Sequence, residues 1–318
     1  MRLRPVTTAV VMAVVVAVQV VAVWTVATGR SDPHDVPVVV AAPDRLAGLV
    51  AAQGAPSGTL RLTAATSRGD AFEAVREGRA EAALLLDLRR DRSTVLLSSA
   101  GGRRLDATLE TEVRAVAERF TTRTSVEHLD GGPRRGARDL AFVLAIVAVV
   151  LGWAGAVVGT LRRGSVDETF AEAVRRLATS AAWAAGVGVA AALVAGLAGS
   201  PVTLGLVAAV TTFTAAVTTD ALQSLFGARG LGVATVLFVL AAGPLVTGAD
   251  PSLLPTPWDV VTPWTLHGAA VESAVAVTFG QSAPLPRALL VLLAWTAAAI
   301  LTTATARRAR RAAGVTLT

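Results

Sequence analysis

The chain has 318 residues, 53% hydrophobic and 16% charged, with a mean hydropathy of +0.59. A soluble domain averages about 45–50% apolar and about 25% charged residues, so this chain holds more Ala, Val and Leu than one aqueous core buries, which points away from a purely soluble enzyme. All 29 basic residues are arginine, and 23 acids leave a formal charge of +6. Without lysine there is no P-loop of the G-x-x-x-x-G-K-[ST] kind and no Schiff-base chemistry. Without cysteine there are no disulfides, thiolate nucleophiles or thiolate metal sites. His34, His128 and His267 are too scattered to form a ligand-spaced pair. The chain is therefore expected to have no catalytic, cofactor or metal site, and not to be an enzyme.

In chain order, the first apolar stretch runs from about Pro5 to Ala27 behind Arg2 and Arg4. A signal peptide has a shorter apolar region, about 7–15 residues, before a small-x-small site. Trp24-Thr25-Val26-Ala27 is a poor cleavage site, so residues 1–28 are expected to be a retained transmembrane helix.

Residues 29–139 form the one long polar segment and are expected to fold as a small α/β domain. Val36 to Ala41 reads as a strand, Asp44 caps a helix through Leu46, Leu49 and Val50, and Gly54 to Gly58 is a turn. Thr59 to Thr66 alternates as a half-buried strand, and Asp70 opens a helix that Gly78 stops. Ala80 to Leu86 and Thr94 to Leu97 are further strands, and Leu105 to Phe120 is a helix with one apolar stripe. Asp87, Asp91, Arg89, Arg90 and Arg92 read as a solvated turn between two strands. No paired carboxylates or Ser-His-Asp set stand out.

Residues 140–318 are expected to be a five-helix transmembrane domain. A stretch of about 20 apolar residues crosses about 30 Å of hydrocarbon. Such stretches lie at about Leu140–Leu161, Thr179–Ala198, Val202–Phe226, Leu231–Val246 and Ala288–Ala306, the fourth of these short and ending near Gly243-Pro244. Between the first two, Ser165 and Glu168 have the spacing of a capping box, in which each side chain satisfies an open backbone N–H. The expected helix, residues 165–178, carries Phe170, Val174 and Leu177 on one face, either lying on the bilayer or touching a partner protein. The long loop of residues 248–287 has Trp258 and Trp264 suited to a membrane interface, and His267 to Phe279 reads as a short helix on or in the leaflet. Glu272 in that helix needs a partner if it approaches lipid, a solvated position being the preferred reading. Asp220 is expected to pair with Arg229.

The arginines orient this layout. Arg2, Arg4, Arg162, Arg163, Arg175, Arg176, Arg229, Arg307, Arg308, Arg310 and Arg311 fall on one side of the spans, the expected cytoplasmic side. The short connections opposite hold only Arg287 against Asp250, Asp259 and Glu272. The basic balance thus reports topology, and no nucleic-acid partner is implied. The expectation is an α-helical polytopic membrane protein of six transmembrane helices, one before and five after a small extracytoplasmic α/β domain, with both termini cytoplasmic and membrane lipid around it.

This layout resembles the permease subunits of ABC type-2 exporters, in the phage-infection-protein-like branch. Locally, Glu77-Gly78-Arg79-Ala80-Glu81-Ala82-Ala83-Leu84-Leu85-Leu86-Asp87 is similar to a stretch of that family's outside domain. Gly230 to Gly280, with Val246-Thr247-Gly248, Leu254-Pro255, Pro263-Trp264, Gly268-Ala269-Ala270 and Phe279-Gly280, is similar to its last outer loop, though Thr265-Leu266-His267 stands where the family often has Leu-Pro. The resemblance implies a homo- or heterodimeric permease in a bacterial-type cell membrane, exporting an apolar or amphipathic substrate. It also implies a separate ABC ATPase subunit that carries the ATP, touched by the helix of Ser165, Glu168, Phe170, Val174 and Leu177. Trp258, Trp264, His267 and Glu272 are then candidates for an outer gate. The rival from another class is a non-transporting receptor or scaffold whose outside domain binds a ligand or envelope partner.

Overall fold

A computed structural model describes residues 34–43, 46–53, 58–98, 100, 103–129, 137–163, 169–196, 201–240, 254 and 258–312. The expected first span, residues 5–27, lies outside them.

The β-branched run Val36–Ala41 forms β1, buried on alternate residues as a central strand requires. The chain leaves it through α1 (Leu46–Gln53) to β2 (Leu60–Ala64), then through α2 (Arg68–Arg76) to β3 (Ala82–Asp87). A tight turn gives the antiparallel β4 (Arg92–Leu97), and α3 (Arg103–Ala117) leads to β5 (Arg123–His128). The sheet order is β2-β1-β3-β4-β5, parallel except for the β3–β4 pair. Val50 of α1 and the α3 stripe Leu105, Leu109, Val113 and Val116 bury one face with Val38, Leu84 and Val95. Ala71, Ala74 and Val75 of α2 cover Ala41, Ala83 and Leu85 on the other. The helix expected from Asp70 begins earlier, because Ser67 is the cap and accepts the Asp70 N–H at 3.0 Å. β5 was not expected: among its residues only Val126 is apolar, so its alternation is nearly silent.

Four described helices are long and apolar enough to cross a membrane: α4 (Ala137–Arg163), α5 (Phe170–Gly196), α6 (Pro201–Phe226) and α10 (Leu285–Ala312). At 1.5 Å per residue they span roughly 40 Å, more than the hydrocarbon core needs. The expected fifth span is shorter. It is α7 (Arg229–Thr235), continued by one π-helical turn, Val236–Leu240, about 18 Å in all. Residues 241–253 lie outside the described set, and four of the six expected spans are seen as long apolar helices among the described residues. After α8 (Trp258–Val261) and a 3-10 turn (Thr262–Trp264) comes α9 (Leu266–Phe279), capped by the Thr265 hydroxyl and stopped by Gly280 at φ +69°.

α6 is the hub. Two-thirds of its span is buried, against 17% for α5 and 22% for α10. α4, α6 and α10 run the same way: Ala148 O accepts from Thr212 Oγ1 (3.1 Å) and Thr160 bonds Gln223, while Thr214 meets Thr296 (2.8 Å) and Val217 and Ala221 pack with Ala299; α5 runs the other way, Gly188 lying at Gly205 and Arg176 at Asp220. Small residues let backbones touch: a Cβ on Gly188 of α5 would sit 2.7 Å from the Gly205 carbonyl oxygen of α6. Outward faces expose Val143, Val147, Leu193, Leu206, Leu293 and Leu301, a surface suited to lipid.

This packing predicts an asymmetric pair. Gly188→Ala should cost about 1–3 kcal/mol by overpacking the α5–α6 seam, while Gly186→Ala, with nothing within 4 Å, should be neutral. Thermal unfolding in detergent distinguishes the two.

Candidate functional site

Two polar constellations stand out, one at each end of the bundle. The first is the junction with the sheet domain. α9 presents two faces there. Leu266, Ala269, Ala270 and Ala274 pack into the bundle. Gly268, Val271, Glu272 and Val275 line a cleft of 410 Å³ whose opposite wall includes Pro37, Arg61, Gly78 and Glu81 of the sheet domain. The segment between α9 and α10 clasps the turn after α2: the Ala283 N–H donates to Glu77 O at 2.9 Å, and Gln281 Nε2 donates to Ser98 Oγ at 3.3 Å. Gly78 lies at φ +75°, and a Cβ there would meet the Gln281 side chain at 2.9 Å, so both its backbone and its bareness are required. His34 Nε2 meets Asp259 Oδ2 at 3.2 Å on the same interface.

The expected outer-loop residues are placed by this junction. Glu272 lies in the cleft, 17% exposed at its side chain, and pairs at 2.5 Å with the half-exposed Arg287, so its carboxylate has a protein partner at an exposed contact. His267 is buried beneath α9, its Nε2 3.1 Å from the Phe238 carbonyl in the π turn, where widened backbone spacing frees an acceptor. Trp264 is exposed and its carbonyl accepts from Trp295 Nε1 at 3.1 Å, while Trp258 opens α8 and is half-buried. These four residues are neighbours in sequence; His267 and Glu272 point to opposite sides of α9.

Also at the junction, Asp106 in the first turn of α3 faces His128 and Arg138. Burial raises its carboxyl to about 6, against the opposing influence of those two side chains.

The second constellation lies at the far end of the bundle. Arg176 Nη1 of α5 is 3.7 Å from Asp220 Oδ1 of α6, both side chains about one-tenth exposed (9% and 11%). The expected pairing of Asp220 with Arg229 is corrected: Arg229 opens α7 beyond the Gly227 turn and is exposed, whereas Arg176 faces α6 directly. Thr160 Oγ1 donates to Gln223 Oε1 at 2.6 Å beside the pair. Trp183 packs on Gly155 and donates to Leu151 O at 2.9 Å. Together these walls enclose a cleft of 380 Å³ between α4, α5 and α6.

Of the expected separate helix of residues 165–178, the part from Phe170 onward is the start of α5, which runs unbroken from Phe170 to Gly196. Ser165 and Glu168 lie outside the described residues. Among the described residues Thr169 and Glu172 form a capping box: the Thr169 N–H donates to Glu172 Oε2 at 3.0 Å and the Glu172 N–H to Thr169 Oγ1 at 3.2 Å. Phe170, Val174 and Leu177 share one stripe of this stub, exposed by 73%, 49% and 38%. Arg176, on another face, was not singled out from sequence as a buried residue; its charge hid the fact that it points inward.

Among the described residues no cluster of His, Asp and Glu is arranged to hold a metal ion. No family model, curated protein or solved structure matches the chain. By fold class it is a helical, membrane-type protein with a five-stranded α/β domain docked at one end.

Two predictions follow from these sites. Asp220→Asn should destabilise by about 1–3 kcal/mol by removing the carboxylate that faces the buried Arg176 guanidinium, and adding Arg176→Gln should recover part of that loss in thermal melts of detergent-solubilised protein. For Asp106, the folded protein binds the proton more tightly than the unfolded chain, whose carboxyl titrates near 3.8. Stability relative to Asp106→Asn should therefore fall as pH rises from about 3.8 to about 6, by about 1 kcal/mol once solvent screening is allowed for; melts across that range test it.

Proposed function

We propose that the chain is the membrane-spanning permease subunit of an ABC-type exporter, working as a homo- or heterodimer with ATP bound on a separate subunit. The observation that carries this reading is the far end of α5. Its stub offers an apolar stripe, Phe170, Val174 and Leu177, to whatever lies beyond the bundle, while the opposite face is tied by the Arg176–Asp220 pair to the central helix. A push on the stub would reach α6 through a charged contact in a place where losing that contact is costly.

Supporting features come from both ends. Arg162 closes α4, Arg175 and Arg176 open α5, and Arg307, Arg308 and Arg310 close α10, so arginine gathers at the stub end of the bundle. By the positive-inside rule that end faces the cytoplasm and the sheet domain lies outside a bacterial-type cell membrane. The lack of lysine leaves no phosphate-binding P-loop in this chain, so the nucleotide is borrowed. Motion of α6 would reach α9, which packs on it, and through α9 the docked outer domain. The alternative, a receptor or scaffold whose spans only anchor it, gives the stub no partner.

The test is co-purification of the chain with a P-loop ATPase encoded beside it, comparing wild type with Phe170→Asp. The permease reading expects the complex to stimulate ATP hydrolysis and the substitution to reduce stimulation about tenfold or more, since a desolvated aromatic anchor typically contributes at least 2 kcal/mol to an interface. An ATPase that neither binds nor responds, or a Phe170→Asp variant equal to wild type in both, overturns the coupling role.

A further inference from the structure

The sheet domain has a third cleft, at the end opposite the junction. The order β2-β1-β3 means that the chain leaves β1 toward one side through α1 and returns to the other side through α2, with the two helices on opposite faces. At such a switch point the connections diverge and leave a crevice at the carboxyl ends of the strands, the place where open α/β sheets bind ligands. Here that crevice is a cleft of 670 Å³ bounded by residues 41–43 after β1, the end of β3 and the start of α2. It extends over the start of β4 and β5, a stretch of the sheet that α2 leaves bare.

Its charge is arranged against ordinary sheet preference. Arg92 and Arg123 are register partners on adjacent strands and project on one face, where like charges destabilise each other. Arg68 joins them from the first residue of α2, near the positive end of that helix. Neither Arg68 nor Arg92 makes a salt bridge among the described residues. The carboxylate acting on Arg123, Asp91, accepts bonds from the backbone and hydroxyl of Thr122, which hold its pKa below the usual range. Arg90 is engaged loosely by Asp87 at 3.9 Å. Among the described residues, the four arginines of the cleft face Asp87 and Glu127 in its lining and Asp91 beside Arg123, which leaves one positive charge in excess. The next rung of the same face supplies hydroxyls, Thr94 and Ser125, with Ser125 Oγ 3.3 Å from Thr94 Oγ1.

We propose that this cleft is a binding site for a phosphate-bearing anion taken from solution. Guanidinium forks match phosphate oxygens in pairs, and the flanking hydroxyls suit oxygens that the forks leave over. The bilayer is the wrong source. The sheet domain meets the bundle through residues at the amino ends of β1 and β3 (Pro37, Gly78, Glu81), while the arginines sit at the other end of six-residue strands, roughly 17 Å further out. The cleft therefore opens at the end of the domain away from the helices that hold it to the bundle. The site does not depend on whether the spans transport anything.

The experiment uses the full chain in nanodiscs of zwitterionic phosphatidylcholine, titrated calorimetrically with inorganic pyrophosphate at ionic strength held constant with sodium chloride. A saturable isotherm is expected. Arg92→Gln/Arg123→Gln should weaken it about tenfold or more, the scale of lost charge-assisted hydrogen bonds. Arg89→Gln, on the same turn but outside the cleft, should leave it unchanged. Arg68→Gln on a separate helix decides the matter if circular dichroism shows the double variant to be misfolded, and it too should weaken binding. A second arm offers vesicles containing phosphatidic acid in place of pyrophosphate. No saturable pyrophosphate binding, binding equal in the Arg68 and Arg89 variants, or binding to the vesicles alone each overturns the proposal. None of these results bears on ATPase coupling at the far end.

Discussion

Everything in the bundle depends on how closely other backbones approach α6. In lipid an apolar side chain gains nothing by leaving hydrocarbon for protein, so helices hold together where van der Waals contact is tight and polar groups find partners. α6 meets both conditions on several sides. Glycines bring α4 and α5 to within touching distance, through Gly152 and Gly188, and hydroxyls close the remaining polar gaps: Thr212 on the α4 backbone, Thr214 on Thr296 of α10. With those seams in place, Asp220 and Gln223 are tolerable in the interior because Arg176 and Thr160 already stand opposite them. An α6 made only of leucines would be more apolar and less well held.

The same logic explains α9. This helix is too short to cross a bilayer and nearly as buried as a core helix, a combination that makes sense only between two bodies. One face is small and apolar and settles on the bundle; the other carries Glu272 toward the cleft with the sheet domain, and Gly268 leaves room for the Thr262 carbonyl. The α9–α10 segment then clasps the Gly78 turn. A change in the tilt of α6 or α10 has a direct mechanical route to the sheet domain, with no flexible linker between them among the described residues.

Charge is divided between the ends in a way that matches three different tasks. At the far end of the bundle Arg176 faces Asp220, at the junction Arg138 and Arg287 face Asp106 and Glu272, and the arginines of the distal cleft outnumber the acids around them. The overall excess of +6 is thus not one property of the protein.

Much of this was legible from residues alone. Membrane character follows from composition, because hydrocarbon length sets a minimum apolar run, and the strand and helix order of the outer domain follows from period-two and period-3.6 patterns up to the end of α3. β5 escaped because a strand with one apolar residue has no period to read. What the tertiary structure alone decided is pairing. Sequence offers Asp220 a neighbour in Arg229, but the turn at Gly227 carries that arginine away and helix packing brings Arg176 from 44 positions earlier. It likewise took the sheet register to set Arg92 beside Arg123, from either side of α3. Periodicity is local and survives in the string of residues, whereas a charge finds its partner only when distant segments are brought together by burial elsewhere.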